Sequence, residues 1–126
     1  AAKLVYPERH VLVATGDGGF MMNSQELETA VRLGLNFVVV IFHDSEYGLI
    51  KWKEQEQYGR AAFVDFTNPD FVALAEAMHC KGVRISSADE LGEAIQKGFE
   101  EKVPVIIDTP VDYSANEELS AELRSL

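Results

Sequence analysis

The feature that most constrains the fold is a Gly-Asp-Gly-Gly turn, residues 16–19, between an apolar segment and a helical pattern. Residues 11–15 are typical of a short buried strand, and the helical pattern after the turn ends at Gly34. Residues 37–42 are apolar on both faces, which is typical of an interior parallel strand covered by helices on both sides. This unit predicts an α/β fold in which the turn and the loop after the second strand meet at one edge of a sheet.

Local signals predict where the helices begin. The three glycines of the turn are expected to allow neither strand nor helix to continue through it, and Asn23 with Glu26 predicts a capped helix start. Asn68 and Pro69 predict the cap and the first turn of a helix over residues 70–80.

The rest of the chain continues the alternation of helices and strands. The remaining predicted elements are a helix within residues 47–62, a strand at 83–85, a helix capped by Ser87 and Glu90, and a strand over 103–109, with Leu119, Leu123 and Leu126 at near-helical spacing after it. Such alternation predicts a three-layer α/β/α domain with a mostly parallel sheet and right-handed crossovers.

Length and charge limit the classes of function. The 126 residues predict a single domain, 1–126, and the net charge of −10 makes nucleic acid and anionic membranes poor partners. One cysteine, Cys80, favours a reducing, cytoplasmic location, and no apolar run approaches the length of a membrane span. Because nothing caps the helix predicted at the N-terminus, we expect the chain to be part of a longer protein.

The turn has the composition of a phosphate site. Glycines between a strand and a helix let backbone N–H groups approach a phosphate closely. Asp17 would repel that phosphate unless a divalent cation lay between them, and Asp44 follows one strand–helix–strand unit later, 27 positions on. Two carboxylates and a diphosphate suit Mg²⁺. A tight turn without a ligand remains an open alternative, as does an Asp44 that is a solvated strand-end acid or a helix cap.

The two halves of this pattern together resemble a known motif. GDGGFMMNSQELETAVRLG, then an apolar strand, then HDSEYG, is similar to the diphosphate-binding motif of thiamine diphosphate-dependent enzymes. ELETAVRLGLN and VPVIIDTPVDYS resemble the large, catalytic subunit of acetolactate synthase more narrowly. The resemblance covers nearly the whole chain, and it implies the thiamine diphosphate-binding fold, truncated at its N-terminal side.

The resemblance also implies roles for individual residues. Asp17 and Asp44 would bind Mg²⁺ through their side chains, and Glu46 would bind it through its backbone carbonyl. Gly16 would shape the turn. The residues implied to lie against the diphosphate are Gly18, Gly19 and Phe20, with Met21 and Met22 at the cofactor or in the core, and those implied to border the thiazolium and the substrate are Tyr47, Gly48 and Leu49.

Two positions depart from the family pattern. His43 stands where the family usually has Asn, and we assign it no catalytic role. Lys53 stands where herbicide-sensitive, anabolic acetolactate synthases carry a tryptophan, and we interpret the nearby Trp52 as a packing residue. The segment after Tyr47 is more similar to the catabolic or flavin-independent branch.

Half of the cofactor pocket is expected to lie outside this chain. In the family, a pyrimidine-binding domain of the same or a neighbouring subunit supplies the glutamate that activates the cofactor. We therefore predict no catalytic residue here, an inactive isolated chain, and a homodimeric or homotetrameric parent that acts on small 2-oxo acids. FAD in the parent stays open.

Other classes remain as alternatives. The motif is shared with 2-oxo acid decarboxylases, glyoxylate carboligase and pyruvate oxidase. A non-catalytic, Mg²⁺-binding receiver-like module is disfavoured because the last predicted strand ends in Asp108 and Thr109 rather than in Lys. A Rossmann dinucleotide domain is disfavoured because its Gly-x-Gly-x-x-Gly turn does not accommodate Asp17.

Overall fold

The fold is a four-stranded parallel sheet flanked by helices. A computed structural model describes residues 1–113, and its strands are β1 (Leu12–Gly16), β2 (Val38–His43), β3 (Lys81–Arg84) and β4 (Val105–Pro110). The strand order is β1-β2-β4-β3, and every neighbouring pair is parallel. All four strands therefore end at the same edge of the sheet, the carboxyl edge.

Six α-helices connect or precede these strands in the described part of the chain. They are α1 (Ala2–Val5), α2 (Asp17–Met21), α3 (Glu26–Arg32), α4 (Gly48–Tyr58), α5 (Phe71–Ala77) and α6 (Leu91–Glu100), with a short 3₁₀ helix at Ala88–Glu90 before α6. The helix predicted within residues 47–62 is confirmed as α4. The leucine spacing predicted after Pro110 lies outside the described residues.

Alternate side chains of β2 and β4 pack on opposite faces of the sheet. On one face, Val39, Ile41 and Ile106 form a core with residues of α2, α3 and α5. On the other face, Val38 and Val40 pack with β4 and with the apolar side of α6. Because helices cover both faces, the three-layer α/β/α prediction is confirmed.

The glycine turn begins a helix, which corrects one expectation. Helix α2 starts at Asp17, directly after β1, and neither Gly18 nor Gly19 has a positive φ. The predicted cap at Asn23 is also wrong: α3 begins after Gln25, and no side chain caps it. A hydrogen-bonded turn between α2 and α3, including the bond from the Glu26 N–H to the Asn23 carbonyl at 3.2 Å, replaces the side-chain cap.

The cap of α5 is Asp70 rather than Asn68. One oxygen of Asp70, Oδ1, accepts hydrogen bonds from the N–H groups of Val72 at 3.0 Å and Ala73 at 3.2 Å. The bond from Ala73 lowers the pKa of the Asp70 carboxyl, and nearby Arg84 lowers it further. A carboxylate near a helix N-terminus also interacts favourably with the helix dipole. Asn68 is therefore not needed by this helix.

Helix α5 also ends earlier than predicted. It ends at Ala77, and His79 has a φ of 60°, so His79 and Cys80 do not lie on a helix. Cys80 is buried and His79 is exposed, as expected of a packed cysteine beside a surface histidine. Among residues 1–113, no helix combines the length and the apolar character needed to cross a membrane.

A substitution at Gly82 tests the contact between β3 and α5. A Cβ at Gly82 would lie 2.7 Å from the Cα and 2.8 Å from the carbonyl oxygen of Val72, and this backbone cannot move aside cheaply. We expect Gly82→Ala to lower the free energy of unfolding by about 1–3 kcal/mol, as overpacking does. Urea denaturation followed by circular dichroism measures the change.

Gly92→Ala is the matched control. Gly92 lies within α6, and a Cβ there would meet no atom within 4 Å. Alanine is favoured over glycine in a helix by about 1 kcal/mol, so this variant should be at least as stable as the parent. Equal stability of the two variants would contradict the close packing of Gly82 on Val72.

Candidate functional site

The carboxyl ends of β1 and β2 bring the predicted site residues together. Gly16, the last residue of β1, lies beside Phe42 of β2, so Asp17 is adjacent to the loop that follows β2. Asp17 is only 3% exposed, and Asp44 is half-buried at the start of that loop. The sequence-based expectation that the turn and the loop meet at one edge is confirmed.

Hydrogen-bond donors from three parts of the chain surround the Asp17 carboxylate. Its Oδ1 accepts from the N–H of Gly18 at 2.7 Å, and its Oδ2 accepts from the N–H of Ser45 at 2.9 Å. The side-chain amide of Asn68 donates to the same Oδ2 at 2.6 Å. These bonds compensate for the removal of the carboxylate from water.

The loop after β2 is held in an unusual conformation. Ser45 has a φ of 64°, in the left-handed region that few residues other than glycine adopt. The segment after α4 pairs with this loop: the Tyr47 N–H donates to the Val64 carbonyl at 2.8 Å, and the Phe66 N–H donates to the Ser45 carbonyl at 2.9 Å. The pairing holds Ser45 so that its N–H points at Asp17.

Close approach explains the glycine at position 18. A Cβ there would lie 2.9 Å from Cε1 of Tyr47 and 3.6 Å from Cζ of Phe66. The rings of Tyr47 and Phe66 pack together with centroids 4.7 Å apart. Helix α2 therefore begins directly against this aromatic pair, and the N–H groups of its first turn, which helix hydrogen bonds do not use, lie at the carboxyl edge.

Asp44 and Glu46 are also positioned by local contacts. The Asp44 Oδ1 accepts from the Glu46 N–H at 3.1 Å, and Oδ2 lies 3.6 Å from where a Cβ on Gly48 would stand. Both oxygens of the Glu46 carboxylate bind Lys51 Nζ, at 2.5 and 2.6 Å, and this pairing raises the pKa of Lys51. Because Lys51 binds the Glu46 side chain, Glu46 would contribute to a metal site through its backbone carbonyl, as the resemblance implied.

The side chains of Phe20 and Leu49 do not contact the carboxylates of Asp17 and Asp44 in the described structure. Phe20 packs edge-on against Phe71 of the core, with ring centroids 5.7 Å apart, so only its backbone can lie toward a ligand at the turn. Leu49 is 70% exposed on the first turn of α4.

The donor set fits a divalent cation of the hard, oxygen-preferring kind. No three His, Cys, Asp or Glu side chains in residues 1–113 are arranged to hold a metal ion. Two carboxylates, Asp17 and Asp44, together with the Glu46 carbonyl would still supply three oxygens, which suits Mg²⁺ with phosphate and water. The buried Asn68 Oδ1, which has no hydrogen-bond partner among the described residues, is another polar atom at this site.

A second cluster at the same edge was missed by sequence reasoning. Asp108 of β4 is fully buried, with Oδ1 2.5 Å from His43 Nδ1 and Oδ2 2.6 Å from Arg84 Nε. Arg84 also reaches Asp70 Oδ1 at 3.1 Å, and its pKa is raised chiefly by the bond to Asp108. The cluster joins the ends of β2, β4 and β3, so His43 has a structural contact.

Three more residues lie near the site although the sequence analysis gave them no role there. Ser45 and Asn68 contact Asp17 from positions 28 and 51 residues away. Burial raises the pKa of Tyr113, which follows β4, and the charges of Asp44 and Asp17 raise it further. Only the pairing of distant segments in the folded chain identifies these neighbours.

Comparisons with known proteins agree with this geometry. The family model described as "Thiamine pyrophosphate enzyme, C-terminal TPP binding domain" matches residues 1–109. An acetolactate synthase of Bacillus subtilis (strain 168) is 41% identical over 121 residues, which are 96% of this chain and 21% of that protein. A catabolic acetolactate synthase of Raoultella terrigena is 38% identical over 122 residues, 97% of this chain and 22% of that protein.

A solved structure shows the same fold. The thiamine diphosphate-dependent 4-hydroxybenzoylformate decarboxylase of Rhodococcus jostii RHA1 matches with a TM-score of 0.79 and 26% identity, over 90% of this chain and 22% of that one. The chain thus spans about a fifth of the length of these relatives. Because the family model matches most of its length, the chain belongs to the thiamine pyrophosphate enzymes, as their C-terminal cofactor-binding domain.

Proposed function

We propose that this chain is the diphosphate- and magnesium-binding part of a longer acetolactate synthase. The observation that carries the proposal is the buried Asp17 carboxylate at a glycine-rich strand-to-helix turn, held by the loop that contains Asp44. The 41% identity with an acetolactate synthase supports the choice of enzyme within the family. The receiver-like and Rossmann alternatives are excluded by the family match.

In this proposal each predicted residue has a defined task. Asp17, Asp44 and the carbonyl of Glu46 hold Mg²⁺. Backbone groups of Gly18, Gly19 and Phe20 lie against the diphosphate. Gly16 allows the turn, while Tyr47, Gly48 and Leu49 border the thiazolium and the substrate.

The residues of this chain bind and orient, and the cofactor carries the chemistry. When bound, thiamine diphosphate supplies the reactive carbon that permits decarboxylation of pyruvate and transfer of the remaining two-carbon unit to a second 2-oxo acid. Asp17 and Asp44 would hold the Mg²⁺, whose positive charge would offset part of the negative charge of the diphosphate. The rings of Tyr47 and Phe66 pack against each other beside the turn.

The remaining parts of the enzyme follow from the same proposal. A pyrimidine-binding domain of the same or a neighbouring subunit supplies the activating glutamate, and the assembled enzyme is a homodimer or a homotetramer. A cytoplasmic location stays a prediction from composition. Whether the whole enzyme also holds FAD stays open.

A 2-oxo acid decarboxylase is the second candidate. It is favoured by one observation, the structural likeness to a thiamine diphosphate-dependent decarboxylase at a TM-score of 0.79. The two candidates differ in what becomes of the two-carbon unit, which a synthase transfers to a second 2-oxo acid and a decarboxylase releases as an aldehyde.

Product analysis of the full-length enzyme with pyruvate separates these candidates. We expect acetolactate, detected by chromatography, whereas acetaldehyde as the main product would contradict the synthase assignment. The purified 126-residue chain should form no acetolactate, because in this proposal a pyrimidine-binding domain supplies the activating glutamate. Acetolactate from the isolated chain would refute the divided pocket.

Removal of the Asp17 carboxylate should abolish metal-dependent cofactor binding. For Asp17→Ala in the full-length enzyme, we expect the affinity for thiamine diphosphate with Mg²⁺ to fall by more than the roughly 10–100-fold typical of losing a ligand's hydrogen-bond partner. Calorimetric titration with and without Mg²⁺ measures this loss. Asp89→Ala, an exposed acid before α6, changes the net charge equally and should bind as the parent does.

A methyl group at position 18 should displace the aromatic pair. Gly18→Ala places a Cβ 2.9 Å from the Tyr47 ring, and we expect a cost of about 1–3 kcal/mol, divided between stability and cofactor affinity. Thermal unfolding and titration with thiamine diphosphate measure the two parts. Gly92→Ala serves again as the control, and a Gly18→Ala variant that matches the parent in both measurements would show that the turn does not approach Tyr47 closely.

A further inference from the structure

We infer that Asn68 is a positioning residue for the metal-binding carboxylate of Asp17, an inference that rests on the proposed function. Asn68 lies between α4 and α5, in the segment that also pairs with the loop after β2. Its Nδ2 lies 2.6 Å from Asp17 Oδ2 and 3.2 Å from Ser45 Oγ. One amide thus contacts both halves of the candidate metal site.

Hydrogen-bond chemistry determines the orientation of this amide. A carboxylate oxygen only accepts hydrogen bonds, so the atom of Asn68 that faces it must be the NH₂ group. The reversed orientation would place two acceptor oxygens against each other beside Asp17. With the NH₂ group facing Asp17, Asn68 Oδ1 is buried and has no partner among the described residues.

The contact leaves the two oxygens of Asp17 unequal. Within residues 1–113, Oδ2 accepts from both the Ser45 N–H and Asn68, while Oδ1 accepts only from the neighbouring Gly18 N–H. Both lone pairs of Oδ2 are therefore engaged in hydrogen bonds, whereas Oδ1 keeps one lone pair with which it could bind a cation. In metal sites, partners of this kind orient the ligating side chain and raise its affinity.

The alternative role for Asn68, as a helix cap, is already filled. The Asp70 carboxylate accepts hydrogen bonds from two N–H groups in the first turn of α5. No helix described in the chain uses the Asn68 side chain as a cap. The energetic reason to keep an amide at position 68 is thus its contact with Asp17 and Ser45.

Asn36 provides a matched comparison within the same fold. Its Nδ2 donates to the Glu101 carbonyl at 2.9 Å, so it also ties distant segments together through one amide. It precedes β2, at the amino edge of the sheet, whereas the site lies at the carboxyl edge. Replacing Asn36 removes a similar hydrogen bond without touching Asp17.

The test measures binding of Mn²⁺ to the full-length enzyme in saturating thiamine diphosphate. Free Mn²⁺ is read by electron paramagnetic resonance for the parent, Asn68→Leu, Asn36→Leu and Asp17→Asn, and the thermal midpoint without metal is recorded for each. We expect Asn68→Leu to bind Mn²⁺ about 10–100-fold more weakly and Asn36→Leu to bind it as the parent does. Asn68→Ala is measured in parallel in case leucine does not fit, under the same criteria.

The outcomes separate the inference from the proposed function. Parent-like Mn²⁺ affinity in the Asn68 variants, or an equal loss in Asn36→Leu, overturns the positioning role while the metal site stands. Failure of the parent to bind Mn²⁺, or an Asp17→Asn variant that binds it unchanged, overturns the proposed function itself. Weakening confined to Asn68 and Asp17 supports both.

Discussion

The buried carboxylate of Asp17 is the constraint on which the rest of the site depends. A carboxylate that is 3% exposed needs several donors, and here they come from its own turn, from the loop after β2 and from the segment before α5. Leaving such a group without partners would cost about 1–3 kcal/mol or more, since buried polar groups lose their bonds to water. The same bonds that stabilise the fold therefore assemble the candidate metal site.

The sheet supplies the frame on which this assembly is built. Because all four strands are parallel, their polar ends converge at one edge, and the buried Asp108 joins three of them through His43 and Arg84. The apolar layers on both faces leave that edge as the place where polar side chains gather. A ligand site at the carboxyl ends of strands is thus a consequence of the topology.

Much of this arrangement could be predicted from periodicity and spacing. The apolar strand β2, the meeting of Asp17 with the loop of Asp44, and the apolar faces of α5 and α6 follow from local patterns in the sequence. The strand predicted at residues 11–15 also forms, as β1, but the prediction that it is buried is wrong, because β1 lies at the edge of the sheet and is largely exposed. Helix boundaries were less predictable. Asn68 and Asp70 are both good caps, and sequence alone could not show that Asp70 would cap α5 while Asn68 turned toward Asp17.

Local sequence patterns were enough to predict the fold class and to place Asp17 at the candidate site. Alternating apolar segments require a covered parallel sheet, and an acid within a glycine turn requires a cation if a phosphate is to bind there. Only the packing of the layers placed Ser45 and Asn68 against Asp17 and formed the second cluster around Asp108. The physical reason is that hydrogen bonds between segments 28 and 51 residues apart depend on how the layers pack, which no local pattern encodes.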